Sequence, residues 1–360
     1  MSNSKTLNII IFGIGNVGST LIHQINQAKP KLQAQQNLII NIPVVTNSKL
    51  AFFNEFGISN TWECDFDTFS VPYKIEEIIA FVNKCDLKNL VAIDATASKD
   101  FVENYIPLIQ NGFHIISANK VANTLSYEFY NQLRLTLKKC NKSFLYETNV
   151  GAGLPIIETV KRLYDSGEQI QKIRGVFSGS LSYIFNEFSS HDVPFSKVLN
   201  QATTLGLTEP DAREDLSGND VARKLLILAR ELNLKAEIND VSIESLVPKQ
   251  LNEKTTLHQF KTRSKEFDAP FLEIKNKQKK GNVLRYVGEL NVEKNTLEVK
   301  LVSEDKNSSI GQLKGANSVF EIYSDSYQES PLVIQGAGAG KDVTARGLFL
   351  DIIKLSNSLN

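Results

Sequence analysis

The stretch EPDAREDLSGNDVARK, residues 209 to 224, sets five acidic and three basic side chains in sixteen positions. Two kinds of chemistry are open to it. On a helix starting near Ser217, Asp220 and Lys224 fall at i and i+4 and share a face, where a carboxylate can hold an ammonium group. Upstream, TEPD reads as a turn that presents carboxylates from a loop, where ligand-binding groups are usually carried. A plainer arrangement uses the same helix: Ser217 as its N-cap, Asp220 as the third-position partner in a capping-box variant, and Lys224 in a solvated ion pair worth roughly a few tenths of a kcal/mol. That arrangement gives Glu209, Asp211, Glu214 and Asp215 nothing to do. Spacing alone does not choose between a solvated face and a site.

A second pattern suits phosphate. GIGNVG places Gly13, Gly15 and Gly18 directly after the apolar run LNIIIF, residues 7 to 12, and at the start of a helix. In that context Gly13 permits the tight turn, Gly15 lets the backbone approach a pyrophosphate, and Gly18 lets helix and sheet pack closely. The helix N-terminus, with Asn16 and Val17 in it, then offers N–H groups and a positive dipole end. An acidic residue normally ends the second strand when NAD is the ligand. Here Thr46, Asn47, Ser48 and Lys49 stand in that region, with no carboxylate and one cation. A 2′-phosphate would not be repelled, which favours NADP. An ordinary loop accounts for the same residues, so NAD stays open.

These residues need elements to position them. LNIIIF and LIINIPVV (38–45) read as strands buried on both faces. Strand-like runs at 90–98, 114–119 and 143–148 alternate with helical spacing at 74–85 and 126–141 and a short helix before Gly112. That alternation predicts a Rossmann-type, doubly wound parallel sheet over residues 1–150. Beyond it the pattern changes to α+β. Pro155 opens a helix, IQKIRGVFSG reads as a strand, and helices follow near 181–189, 195–206 and 219–234. Residues 282–304 alternate around KNT as a hairpin with one solvated face, and VFEIYS (319–324) looks like a further strand. The charged stretch 252–281 reads as helical and peripheral. GAGAG, 336–340, opens a last helix and could be a flexible turn or a lid over a cofactor. The expected organisation is a nucleotide-binding domain, 1–150, completed by the C-terminal segment 332–360, and a second domain over 151–331.

Composition limits the function classes. The 360 residues suffice for two domains, and 42% apolar content for packed cores. Forty basic residues balance forty acidic ones, so no global field favours nucleic acid or an anionic membrane. No run approaches the roughly 20 apolar residues of a membrane span, and the N-terminus lacks the basic region of a signal peptide. Cys64, Cys85 and Cys140 form no CxxC pair, and the four histidines form no HxxxH or HExxH. Neither a disulfide framework nor a zinc site is indicated, and a reducing cytoplasm is expected.

Taken together, GIGNVGS, SANKVAN, YETNVGAGLPIIE, FSGSLSYIFNEF, GLTEPDAREDLSGNDVARKLLILAR, VLRYVGEL and QGAGAGKDVTA give the chain a close resemblance to homoserine dehydrogenases. It is particularly similar to the dehydrogenase part of bifunctional aspartate kinase–homoserine dehydrogenases, through TNVGAGLP and ARKLLILAR. Nothing within these residues reads as a kinase or as an ACT-like regulatory domain, so feedback through such a domain is not expected. The resemblance implies an NAD(P)-dependent oxidoreductase that interconverts L-homoserine and L-aspartate 4-semialdehyde, on the route to threonine and methionine, and a homodimer whose second domain is catalytic and dimerising.

The resemblance also distributes roles. Lys224 and Lys120 look like the catalytic lysines, and Asp220 like the carboxylate that orients Lys224. Glu209 and Asp215 look like ligands of the substrate ammonium, and Gly179 and Ser180 like substrate contacts. Thr96, Lys120 and Gly340 resemble further cofactor contacts. Glu147, Val150, Ala152 and Leu154 resemble a monovalent cation site for Na⁺ or K⁺, although YETNVGAGLPII alone reads as a plain turn from strand to helix. Ala212 and Glu214 depart from the family pattern, which has Pro and Asp there. Lys341 and Arg346 add charge to a usually neutral turn. An oxidoreductase that makes an acyl intermediate would need a cysteine nucleophile, and none of the three cysteines sits in such a context. A catalytically silent, dinucleotide-sensing protein on the same scaffold is the alternative; loss of Lys120, Asp220 or Lys224 would have been its signature.

Overall fold

The computed structural model describes residues 4–252 and 255–359. They divide into two compact units, Met1–Gly153 with Gly340–Asn360, and Leu154–Ala339. In the first, the order is β1 (Lys5–Phe12), α1 (Asn16–Gln36), β2 (Leu38–Thr46), β3 (Leu50–Phe53), α2 (Trp62–Phe69), β4 (Val71–Pro72), α3 (Ile75–Lys84), β5 (Leu90–Asp94), α4 (Tyr105–Gln110), β6 (His114–Ser117), α5 (Tyr127–Cys140) and β7 (Phe144–Leu145). The sheet order is β4-β3-β2-β1-β5-β6-β7. β1, β2, β5, β6 and β7 are parallel. β3 and β4 join antiparallel at one edge.

The apolar run of β1 is buried as its composition requires: Leu7 and Ile9 to Phe12 are all sealed from solvent. β2 lies on one side of β1 and β5 on the other, so the strand order reverses at β1. In such sheets ligands bind outside the carboxyl ends of the strands at that reversal. Phe12 is in register with Thr46 on one side and Asp94 on the other, so Gly13, Asn47 and Ala95 leave the sheet at one level.

The second unit runs α6 (Ile156–Asp165), β8 (Ile170–Val176), α7 (Gly179–Ser190), α8 (Phe195–Thr204), α9 (Arg213–Leu216), α10 (Asn219–Glu231), β9 (Val241–Ile243), α11 (Leu257–Thr262), α12 (Asp268–Asn276), β10 (Asn282–Asn291), β11 (Thr296–Asp305), β12 (Asn317–Ser324) and β13 (Leu332–Ala337). Its sheet order is β13-β12-β8-β10-β11-β9. The β10–β11 hairpin forms as expected, and β8, β10, β11, β12 and β13 are mutually antiparallel neighbours. β9 adds to β11 in parallel.

The stretch 252–281, of which 253–254 lie outside the described residues, is not peripheral. Phe260, Phe267 and Phe271 are buried there and join Phe185, Phe188 and Phe195 in one aromatic cluster. Phe195 and Phe271 stack at 3.9 Å. The charges of this stretch lie on the outer face of helices whose phenylalanines point inward.

The C-terminal segment differs from expectation in a similar way. Leu332–Ala337 pairs with β12 along six residues, so it belongs to the second sheet and not to the nucleotide-binding unit. The first unit regains the chain only at Gly340, as α13 (Lys341–Ser358). Ala345, Leu348, Phe349, Ile352 and Leu355 of α13 lie in the core cluster of the β1–β2–β5 sheet. The helix that follows the glycine cluster is thus a core element of the first unit.

Candidate active site

The glycine turn has the geometry its sequence requires. Gly13 takes φ +93, a left-handed value that side chains rarely adopt, and its N–H bonds the Thr46 carbonyl at 2.9 Å. A Cβ on Gly18 would overlap the Gly13 carbonyl oxygen, so the turn and α1 close on each other only with glycine there. Around Gly15 a Cβ would meet nothing within 4 Å. Asn16 and Gly15 are exposed, and Gly15 supplies no side-chain cap to α1. At the end of β2, the Asn47 side chain accepts the amides of Lys49 (2.8 Å) and Leu50 (2.7 Å). It is held in the turn to β3, while Ser48 and Lys49 are exposed.

Thr96 and Lys120 leave the carboxyl ends of β5 and β6, and a buried polar cluster ties the two loops together. Asp94 is 1% exposed. Its Oδ1 accepts the Thr96 amide at 2.8 Å. Its Oδ2 accepts the Tyr105 hydroxyl at 2.7 Å and Asn119 Nδ2 at 3.0 Å. Burial pushes the Asp94 carboxyl above the usual carboxylate range, against the pull of these donors. Asn119 Oδ1 then accepts the Val121 amide at 3.0 Å, which fixes the turn holding Lys120. Sequence reasoning missed Asp94, Tyr105 and Asn119 as parts of one device; the carboxylate ending LVAID was the one visible signal.

The second unit gathers the acidic–basic run. Lys224 is 8% exposed. Its Nζ donates to the Phe177 carbonyl at 2.7 Å and lies 2.8 Å from Asp220 Oδ2. Asp215 Oδ1 accepts the Ser180 hydroxyl at 2.6 Å, and its Oδ2 accepts the Glu209 amide at 2.8 Å. Burial, with Asp220 nearby, raises the Asp215 carboxyl above its ordinary value, and the Ser180 and Glu209 donors oppose this. The structure thus brings Asp215 to Ser180 and to the Glu209 backbone; the Glu209 side chain itself is exposed. Gly179 opens α7, where a Cβ would press on the Ala316 carbonyl oxygen at 3.0 Å.

Ser217 is not the N-cap of α10. Its backbone is already helical, at φ -66 and ψ -24, and Gly218 is the cap residue, at φ 77. A side chain at 218 would overlap the Tyr286 hydroxyl. The left-handed glycine lets the chain turn from α9 into α10 against β10, so Asp220 is released from capping and reaches Lys224. Arg213, left unassigned by the sequence, forks onto Asp211 and donates to the Thr255 carbonyl at 2.7 Å, which anchors the loop from below.

In the first unit the loop after β7 carries three of the expected cation residues. The Glu147 amide donates to Asp351 Oδ2 of α13 at 3.1 Å, Val150 is buried, and Gly151 and Ala152 are both left-handed. Asn149 Nδ2 and Thr148 Oγ1 donate to the Ser117 carbonyl. Leu154 begins the second unit, and its carbonyl accepts the Ile156 amide at 2.9 Å. Gly340 precedes α13 with φ +112. Among the described residues no cluster of three or more His, Cys, Asp or Glu could hold a metal, and no helix is long and apolar enough to cross a membrane.

Comparison with known proteins agrees with this geometry. A family model described as homoserine dehydrogenase matches residues 155–353, and one described as homoserine dehydrogenase, NAD binding domain, matches residues 13–147. The chain belongs to the homoserine dehydrogenase family. It is 38% identical over 355 residues to the bifunctional aspartokinase/homoserine dehydrogenase of Buchnera aphidicola, an alignment covering 98% of this chain and 43% of that one. The chain therefore spans less than half the length of that relative. Its fold matches a crystal structure of a Candida auris protein of unknown function, with TM-score 0.90 and 31% identity over 98% of this chain and 99% of that one. A hyperthermophilic archaeal homoserine dehydrogenase, solved in complex with NADPH, shares the fold at TM-score 0.75 and 20% identity over 99% of each chain.

The NAD binding domain model covers the glycine turn. The open space over Gly15, the exposed start of α1 and the strand reversal at β1 are the features a pyrophosphate would need there.

Proposed function

We propose that this chain interconverts L-homoserine and L-aspartate 4-semialdehyde with a nicotinamide dinucleotide, on the route to threonine and methionine. The observation that carries the proposal is the buried Lys224 ammonium, 2.7 Å from the Phe177 carbonyl and 2.8 Å from Asp220. Two of its three N–H groups are taken by these acceptors, and one remains for a substrate oxygen. A bound dinucleotide supplies the hydride to the substrate carbon or takes it up. As the aldehyde is reduced, Lys224 gives a proton to the oxygen, which leaves as the alcohol; in oxidation the neutral amine takes that proton back. Asp220 holds the Nζ in place. Asp215 and Glu209 are assigned to the substrate ammonium by charge-assisted hydrogen bonds, with Gly179 and Ser180 as further contacts. Lys120 is assigned as the second catalytic lysine and, with Thr96, Gly340 and the glycine turn, as a cofactor contact. The intact Lys224–Asp220 pair argues against a silent dinucleotide sensor.

Three finer assignments rest on particular residues. NADP is preferred, because Ser48 and Lys49 are exposed beside a turn without a carboxylate, and NAD remains usable. A monovalent cation, Na⁺ or K⁺, is assigned to Glu147, Val150 and Ala152 in a loop whose two left-handed residues reorient successive carbonyls; Leu154 follows in sequence. A homodimer is assigned through the resemblance. A reducing, cytoplasmic setting suits three unpaired cysteines. One assay tests the main reading: purified protein with L-homoserine and NADP⁺ or NAD⁺, followed by absorbance of the reduced cofactor. No turnover with either dinucleotide would remove it. Activity unchanged when Na⁺ and K⁺ are replaced by a bulky organic cation would remove the cation's role, and sedimentation as a monomer would remove the dimer.

A further inference from the structure

The carboxylate of Asp94 stands out because, among the described residues, no cation pairs with it. It is 1% exposed, and its partners are all neutral: the Thr96 amide and side chain, the Tyr105 phenol and the Asn119 side-chain amide. A buried ion held only by neutral donors is costly, so a neutral side chain would serve a purely structural purpose as well. What the carboxylate alone provides is acceptors on both oxygens. Oδ1 takes the Thr96 amide, on the loop after β5. Oδ2 takes Asn119 Nδ2, on the loop after β6, next to Lys120. Asn119 Nδ2 also donates to the Ser98 carbonyl at 2.8 Å, so the same side chain closes the β5 loop from its far end.

We propose that Asp94 is a positioning residue, which straps the loop of Thr96 to the loop of Lys120 and so fixes the spacing of two groups that meet the dinucleotide. The inference rests on the functional reading above and concerns residues of the first unit only.

The geometry separates this role from plain structural support. Asp94→Asn keeps the shape and can keep the bond to the Thr96 amide, but it places an NH₂ against the NH₂ of Asn119. Tyr105 can then accept from that new donor and turn its own proton to Ser117, whose Oγ lies 2.7 Å away. The substitution therefore cuts the strap to the β6 loop selectively. Tyr105→Phe removes a hydrogen bond, 2.7 Å against 3.0 Å for Asn119, from the same buried carboxylate, yet Tyr105 sits on α4 and on neither loop, and both strap bonds survive. Small displacements of positioning groups cost up to about a hundredfold.

The test measures dinucleotide Kd by fluorescence titration without substrate, the thermal midpoint, and separate KM values for dinucleotide and homoserine. Asp94→Asn is expected to weaken dinucleotide binding about tenfold or more, with KM for homoserine little changed. Tyr105→Phe is expected to lower the midpoint comparably and to leave dinucleotide Kd within about threefold. If Asp94→Asn does not fold, Asn119→Ala cuts the same strap together with the bonds to the Ser98 carbonyl and the Val121 amide, and is expected to weaken binding at least as much. Equal losses of binding in the Tyr105 and strap variants, or unchanged binding in the strap variants, would overturn the proposal while wild-type binding stands. A wild-type protein that binds no dinucleotide would overturn the functional reading and this inference with it.

Discussion

Lys224→Met separates the chemical work of the lysine from its structural work. Methionine has a similar length and fills much of the same buried space, so little cavity is created. Two losses follow. The Phe177 carbonyl loses its donor in a buried position, which costs about 1–3 kcal/mol. Asp220 is 45% exposed at its side chain, so water replaces the ammonium there and little is added. Stability should fall by a few degrees in thermal midpoint, on the basis of about 2–4 °C per kcal/mol for units of this size. The chemical loss is larger. A positioned general acid contributes about 10²–10⁴ in rate, or roughly 3–5 kcal/mol in barrier. The assay is the initial rate with L-homoserine and NADP⁺, well below the variant's midpoint, alongside dinucleotide Kd. The expected result is a kcat lower by 10²–10⁴ and a dinucleotide Kd close to wild type, since the glycine turn lies in the other unit. Lys224→Arg tests the remaining ambiguity. Guanidinium keeps the charge but stays protonated, so it cannot take up the substrate proton in this direction and should fail too. A near-normal kcat in the methionine variant would refute the reasoning, and recovery with arginine would reduce Lys224 to a fixed charge.

Asp215→Asn should raise KM for homoserine by about tenfold or more, as expected for a charge-assisted bond. The wild-type KM should itself rise as pH falls through the raised value of the Asp215 carboxyl, because the protonated acid no longer attracts an ammonium; a variant with the same acid limb would exclude Asp215 as its source. His114 is buried and its imidazole is pushed down to about 4 from 6.5, chiefly by desolvation, while its Nδ1 accepts the Ser143 amide. The unfolded chain therefore binds this proton at higher pH than the native one, and about 3 kcal/mol of stability should be lost as pH falls from 6.5 to 4. Denaturant titrations of His114→Asn should lack that slope, and an unchanged slope would sink the assignment. Gly347→Ala would place a Cβ 2.5 Å from Thr148 Cγ2 and 2.9 Å from the Ala152 carbonyl oxygen. A loss of about 1–3 kcal/mol is expected from such overpacking, read as a lower midpoint; an unchanged midpoint would show that α13 shifts freely.

Much of the first unit was legible because its signals are local. Gly13, Gly15 and Gly18 sit in six consecutive positions, and β1 is an uninterrupted apolar run. The Asp220–Lys224 pair was legible for the same reason, since helical periodicity places i and i+4 together. What was hidden depends on distant segments. β3 and β4 are a four-residue and a two-residue strand, too short to alternate visibly, and β9 has three residues. Phe260, Phe267 and Phe271 are spaced as one face of a helix, but the charges between them dominated the reading. Asp94, Tyr105 and Asn119 lie 11 and 25 residues apart and become one cluster only when β5 and β6 pair. Ser217 had every local mark of an N-cap, and Gly218 displaced it because Tyr286, far along the chain, leaves no room for a side chain there.

The C-terminal segment shows why this distinction matters for experiment. With the glycine cluster 336–340 read as a lid, deleting residues 332–360 would ask whether cofactor binding disappears. The fold makes that experiment uninformative. Deletion would remove β13 from the edge of one sheet and α13 from the core of the other unit. Four large side chains of α13, Leu348, Phe349, Ile352 and Leu355, are buried in that core, and at about 1.5–3 kcal/mol for each their loss approaches the roughly 5–15 kcal/mol that holds a whole domain together. The truncated chain would lose cofactor binding because it lost its fold. An interface that buries Leu348, Ile352 and Leu355 almost completely makes α13 part of the core that such a deletion would destroy. Of the glycines in the cluster, Gly336 is part of β13, and Gly340, at φ +112, permits the turn into α13 at the position assigned as a cofactor contact.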